Sequence, residues 1–221
     1  MKFNLEGPFW QFVTLCVRYF ALNLLFLVTL VPVVTIGPAR AALYSTVFAY
    51  IDNEDIPLCR EYLKRFKKEF VRGIGASLIF VVLAALIIFG IVFWNALDTD
   101  LAYLTLPLLI IAAAVVFLTF ECYFPLQARY DNTFRATLLN AVRIPWAAFR
   151  QILAIIAIDV AAAALFSFTG FFRVLFVLLG CAWLAYAKAL VYLRIFARVS
   201  GDPTQTRDDQ PDYSLPTASI Q

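Results

Sequence analysis

Residues 73–97 read GIGASLIFVVLAALIIFGIVFWNAL and contain no charged side chain. A helix needs about 20 mostly apolar residues to cross the roughly 30 Å hydrocarbon core of a bilayer. This stretch is long enough and is predicted to span. Working outward, four more runs qualify. One extends from about Phe9 to Ile36, interrupted by Arg18. One extends from Leu101 to about Gln127 and carries Glu121. One extends from about Gln151 to Thr169 and carries Asp159. The last extends from about Phe171 to Phe196 and carries Lys188 and Arg194. The expected fold is therefore all-α: a polytopic transmembrane helical bundle. It has about five spanning helices (9–36, 73–97, 101–127, 151–169 and 171–196) plus amphipathic interfacial helices, in one domain over 1–200.

Composition supports this reading. The chain has 221 residues, of which 63% are hydrophobic and 15% charged, and its mean hydropathy is +0.83. A soluble domain is about 25% charged. A soluble enzyme, a disordered chain and a secreted disulfide scaffold are excluded. The chain has no histidine, which removes the commonest general base and metal ligand. Cys16, Cys59, Cys122 and Cys181 form no CxxC pair, so they read as small buried hydrophobes and not as a zinc site. No P-loop or GxGxxG occurs, and Asp98 and Asp100 make only a lone DxD. No enzymatic activity, cofactor or metal is expected. Lys2, Arg18 and Ala39-Arg40-Ala41 mimic a cleavable signal. The run to Ile36 exceeds the usual ~7–15-residue signal core, so it is read as an uncleaved anchor.

Breakers punctuate the rest. Pro32 should end or kink the first helix. In Val33-Val34-Thr35-Ile36-Gly37-Pro38, Gly37 permits a positive φ and Pro38 suits a first helical turn. The next segment, 39–51, is too short to span. It reads as an interfacial helix, a re-entrant helix or one packed against the bundle. Two further non-spanning helices are expected in the headgroup region. In 58–72, Cys59, Leu63, Phe66 and Phe70 recur at helical spacing opposite Arg60, Lys64, Lys67 and Lys68, with Asp55 and Pro57 at the start. In 131–149, Phe134, Leu138, Leu139 and Val142 recur, Asp131 is the expected cap, and Pro145 should break the helix. Each leads into a helical hairpin, a weak parallel repeat. Gly73-x-x-x-Ser77 and Ala157-x-x-x-Ala161 are spacings that let helices approach closely. The polar tail, 201–221, is expected to be disordered.

Orientation follows from charge. The stretch 60–72 has six Lys/Arg and two acids, and 129–150 has four Lys/Arg and one acid. The turns near 98–100 and 170 are poor in basic residues. Basic stretches face the cytoplasm. Five spans then put the C-terminus in the cytoplasm and the N-terminus outside; a spanning 39–51 would move the N-terminus inside. Both basic stretches flank apolar runs and lack an interleaved aromatic platform, so nucleic acid is not an expected partner.

Charges inside spans are expensive, so they face the bundle or water and usually pair. Helix depths suggest Glu121 with Lys188, and Arg18 with Asp159. Arg18, Glu121, Asp159 and Lys188 form the candidate intramembrane polar site. They are read either as a site for a polar solute or proton, or as structural ion pairs. The turn Pro32, Thr35, Gly37, Pro38 and Arg40 is the second candidate, because irregular backbone at membrane depth lines protein or water.

Several of these segments carry a family likeness. Leu22-Asn23-Leu24-Leu25, the run Val31 to Ala39 and Ala41-Ala42-Leu43-Tyr44 resemble the first motif of the YesL-like family of uncharacterised bacterial membrane proteins. Phe66-Lys67-Lys68-Glu69-Phe70, Tyr130-Asp131-Asn132 and Leu139-Asn140-Ala141 are similar to its later regions. Arg40 stands where the family more often has a small or polar residue. The resemblance implies a multi-pass protein of a bacterial plasma membrane. The family's genes accompany carbohydrate ABC transporters, glycoside hydrolases or sensor kinases, and no family-wide activity comes with it. The expected partners are the lipid bilayer, a carbohydrate ABC transporter or sensor kinase, and further copies of the chain. The expected function is a non-enzymatic accessory or regulatory component of carbohydrate uptake or sensing. The alternative is a small solute transporter or channel that uses the buried charges.

Overall fold

A computed structural model describes residues 8–52, 56–97, 99–168 and 170–200. The tail 201–221, Lys2, Asp55, Asp98 and Thr169 lie outside the described residues. Among those described there is no strand. The helices are α1 (Pro8–Leu30), α2 (Ile36–Asp52), α3 (Leu58–Ala96), α4 (Ala102–Arg129), α5 (Phe134–Ala147), α6 (Phe149–Phe168), α7 (Gly170–Leu175) and α8 (Cys181–Ser200). A π-helical turn, Phe176–Gly180, joins the last two. Five segments are long and apolar enough to cross a membrane: α1, α3, α4, α6 and the run from α7 through α8. The all-α multi-pass bundle expected from the sequence is present.

The first span is shorter than expected. It ends at Leu30, because Pro32 takes an extended conformation (φ −76°, ψ 115°) before a 3-10 turn over Val33–Thr35. The Thr35 hydroxyl donates to the Thr29 and Pro32 carbonyls, both at 2.6 Å. It thus serves carbonyls that a helix end leaves without partners.

The segment after this turn is an internal helix. In α2, residues 41–49 are buried on every face. It packs on α3 and α4, and also on α8 and α1. Gly37 has no positive φ; it lies in the first turn of α2, so the expected left-handed turn is absent. Its glycine is needed for contact. A Cβ there would fall 2.4 Å from the Gly73 carbonyl oxygen and 2.1 Å from Ser77 Oγ. A Cβ on Gly73 would fall 2.5 Å from the Pro38 nitrogen. Backbone thus meets backbone where α2 crosses the Gly73-x-x-x-Ser77 pattern. The other such pattern, Ala157 and Ala161, is exposed.

The helix expected at 58–72 is not separate. It continues into the span as one 39-residue helix, about 60 Å long at 1.5 Å per residue. Its inner face also differs from the apolar pattern. Leu58, Tyr62, Arg65 and Glu69 are buried, while Leu63 and Phe70 are exposed. Polar partners on α1, α2 and α4 cause the swap. Arg65 Nη1 donates to Ser45 Oγ at 2.6 Å, and Gln127 Nε2 donates to Glu69 Oε2 at 2.8 Å. The Tyr62 and Thr29 hydroxyls lie 2.5 Å apart. Arg129, 2% exposed, pairs with Asp52 at 2.7 Å.

The α5 helix starts on Thr133, whose hydroxyl accepts from the Ala136 N–H at 3.4 Å. Asp131, the expected cap, instead binds Arg72 at 2.9 Å. Pro145 lies in the last turn of α5, which ends two residues later.

Packing is polarised along the bundle. Residues 121–130 of α4 and its C-cap are all buried, whereas most of 103–118 is exposed. The stretches 78–97 and 101–120 carry no charge. Each is about 30 Å long as a helix, the thickness of the hydrocarbon core. The bundle's packed, polar end therefore begins where these uncharged stretches stop.

Candidate functional site

Four charged side chains from four helices meet at this boundary. Arg40 on α2 reaches Glu121 on α4, with Nη2 2.9 Å from Oε1. Lys188 on α8 holds the other oxygen of Glu121, Nζ to Oε2 at 2.9 Å. The same Nζ lies 2.5 Å from Oδ1 of Asp159 on α6. The result is a chain of alternating sign, Arg40–Glu121–Lys188–Asp159. Side-chain exposures are 17%, 9%, 6% and 25% in that order. Two positive and two negative charges balance, which is what burial of ions requires.

The surroundings are built to hold it. The Arg40 guanidinium sits 4.6 Å from the Phe120 ring centroid and 5.8 Å from that of Phe124, within cation–π range. Pro125 has no N–H, so it leaves the carbonyl of Glu121, four residues earlier, without its helical partner. The buried Tyr192 hydroxyl donates to that carbonyl at 2.9 Å. Burial works against the charge on Arg40, yet the adjacent Glu121 carboxylate outweighs it. The guanidinium is held above the ordinary arginine range.

The expected Glu121–Lys188 contact is thus formed. The expected Arg18–Asp159 pair is not. Asp159 meets Lys188 because α6 packs on α8. Tyr19, Leu22, Asn23 and Phe26 form the buried stripe of α1, while Arg18 is exposed and has no ion pair among the described residues. Arg40 takes the place assigned to Arg18. Charge counting gives no signal for this, because Arg18 and Lys188 already balance Glu121 and Asp159 within the expected spans.

The motif turn divides. Pro32 and Thr35 close α1, Gly37 and Pro38 make the crossing with α3, and only Arg40 joins the charges. Asn23 of the same motif has a further role. Fully buried, it donates to the Val177 carbonyl at 2.6 Å and accepts from the Ala182 N–H at 2.9 Å. These two groups are an i, i+5 pair at the end of the π turn. The Asn23 amide inserts between them and satisfies both, which accounts for the local bulge.

Both oxygens of Glu121 are taken by cations, so it is not poised as a free base. Two apolar grooves lie nearby. One, about 330 Å³, runs between α3 and α4 and includes Ile36, Ser77, Phe80 and Phe120. The other, about 320 Å³, lies between α6 and the α7–α8 run and includes Phe166, Phe176 and Trp183. Neither is lined by a charged residue. Among the described residues, no group of three or more His, Cys, Asp or Glu is placed to hold a metal.

Fold and site together define a multi-pass helical membrane protein with a buried, charge-balanced ion-pair chain. Residues 19–91 match a family model described as "Protein of unknown function, DUF624". The match covers about half of α1, all of α2 and most of α3. It includes Asn23, Gly37, Arg40 and Gly73, but not Glu121, Asp159 or Lys188. No curated protein and no solved structure matches the chain.

Proposed function

We propose that this protein is a non-enzymatic accessory or regulatory membrane component that works through contacts with partners, not by moving a solute. The observation that carries this reading is the state of the charges. Arg40, Glu121, Lys188 and Asp159 neutralise one another across four helices, and neither apolar groove reaches them. A conduit for a polar solute would need such groups facing a wet path. Paired as they are, they fix the register of α2, α4, α6 and α8.

The setting follows from the YesL-like resemblance: a bacterial plasma membrane and a carbohydrate permease or sensor kinase as partner. Basic stretches on the cytoplasmic side put the C-terminus there. The test is a pull-down in mild detergent from cells grown on different sugars, paired with a proteoliposome flux assay. Co-purification of a permease or kinase without intrinsic flux is expected. Sugar uptake by the purified protein alone would overturn the proposal. One observation favours the alternative, a small transporter. Asp159 is the most exposed member of the chain, and its Oδ2 is buried without a partner. That reading requires flux that falls when Asp159 is replaced by Asn.

A further inference from the structure

At the polar end of the bundle, acids and bases are sorted. Glu69 and Glu121 are buried, and Asp52 and Glu61 are largely so, with side-chain exposures of 12% and 15%. Glu69, Glu121 and Asp52 have the partners named above, and Glu61 pairs with Arg65 at 3.5 Å and Lys64 at 3.7 Å. The exposed charge left behind is mostly positive. On α3 it comprises Arg60, Lys64, Lys67 and Lys68. On α5 and the start of α6 it comprises Arg135, Arg143 and Arg150. The three arginines have no ion pair or hydrogen bond among the described residues. The stretch 134–150 contains no Asp or Glu.

The α5 surface is more than basic. Thr137, Ala141, Ile144 and Pro145 turn to the bundle. Leu139 (45% exposed), Val142 (37%) and Trp146 (75%) turn away from it, and Phe149 (60%) follows at the start of α6. At about 100° per residue, Arg135 and Arg143 fall on the same outward arc of α5 as Leu139, Val142 and Trp146, and Arg150 is exposed in the first turn of α6, just past the break at Ala148. The height of α5 is also set. The Phe134 ring packs 5.8 Å from Tyr123, just past the end of the uncharged stretch of α4. Arg72 on α3 ties down the linker before α5 by binding Asp131 at 2.9 Å and the Asn132 carbonyl at 2.7 Å. The helix therefore lies at the edge of the hydrocarbon core, with aromatic and aliphatic side chains beside unpaired guanidiniums.

We propose that the outward face of α5 is a binding surface for anionic phospholipid. Arg135, Arg143 and Arg150 take the headgroup phosphates, whose oxygens suit the guanidinium fork. Leu139, Val142, Trp146 and Phe149, interleaved with them on the same surface, enter the acyl boundary. Charge complementarity selects this occupant: a neutral surface would leave three guanidiniums without counter-charge at a low-dielectric edge. The inference stands apart from the proposed accessory role and does not depend on a protein partner.

The test is native mass spectrometry of the full chain in detergent, titrated with phosphatidylglycerol and separately with phosphatidylcholine. Wild-type protein should retain phosphatidylglycerol at least about tenfold more tightly, given three basic residues at the surface. The triple variant Arg135→Gln, Arg143→Gln, Arg150→Gln should fall to within about twofold of parity. A control with Arg60→Gln, Lys64→Gln and Lys67→Gln removes the same charge from α3 and should keep most of the preference. Wild-type protein supplies a readout free of folding effects. Its preference should fall steeply as salt rises from about 0.1 M to about 1 M, which shortens the screening length from about 10 Å to about 3 Å. Equal retention of the two lipids by wild type, a preference untouched by salt, or an α5 variant that keeps the full preference would each overturn the proposal.

Discussion

In the first hairpin unit, the basic run 58–72 continues without a break into the span of α3. In the second, the basic run stops at Ala147 and α6 begins afresh at Phe149. The two runs share a pattern, cationic and amphipathic ahead of an apolar helix. Two local facts separate them. The first run contains no proline, and α2 lies along it, supplying Ser45 to Arg65 at the packed end. The second carries Pro145 in its last turn, and its outward face has no protein partner among the described residues. Amphipathic composition alone does not say whether a helix lies at the interface or stands in the bundle. The partner available to its polar face, and the position of the next proline, decide it.

The two units are joined at the ion-pair chain, so the largest effect is expected there. Glu121→Gln leaves Arg40 and Lys188 without their shared carboxylate. Removing one partner of a buried pair costs about 3–5 kcal/mol. Chemical unfolding in detergent should show a loss of that size, and a loss near zero would mean the units do not depend on this link. Gly73→Leu attacks the first unit where α2 crosses α3. Overpacking of this kind costs about 1–3 kcal/mol or more, and Pro38 backbone in the way places this site at the upper end. Thermal melting in the same detergent measures it.

Asn23→Leu probes the second unit through α8. It strips partners from the Val177 carbonyl and the Ala182 N–H, and an unsatisfied buried group costs about 1–3 kcal/mol. Amide exchange at Ala182 should quicken while exchange in α3 stays unchanged. The smallest effect is expected from Pro145→Ala, which makes the second unit more like the first. Stability should move by less than about 1 kcal/mol, because the N–H gained toward the Ala141 carbonyl is offset by the lost packing of the buried proline ring. Protection of the amides at 146–149 should rise if the proline is what ends α5. Unchanged exchange there would assign the break to Ala148 instead.

Much of this was legible in the chain. Uncharged length marked the spans, as in 73–97, and depth along the helices brought Glu121 to Lys188. Depth says nothing of azimuth. Arg18 and Asp159 could be matched in height, but the buried stripe of α1 through Tyr19, Leu22 and Phe26 turns Arg18 outward. The run around Gly37 reads as broken backbone, which sets Arg40 in a turn; it is instead the start of an internal helix. Nothing local marks Arg65 and Glu69 as buried, since partners such as Ser45 and Gln127 are distant in sequence. The π turn has no local signature. Its cause is the Asn23 side chain, which arrives from the other end of the chain.

A double-mutant cycle between Arg40→Gln and Glu121→Gln, read as unfolding free energy in detergent, tests the central claim that these charges lock the helices together. Contacting residues in one network couple by about 0.5–3 kcal/mol, while separate sites add within about 0.5 kcal/mol. The predicted result is a coupling of at least about 1 kcal/mol, with Arg18→Gln and Glu121→Gln additive as the control. Additivity between Arg40 and Glu121 would contradict the account.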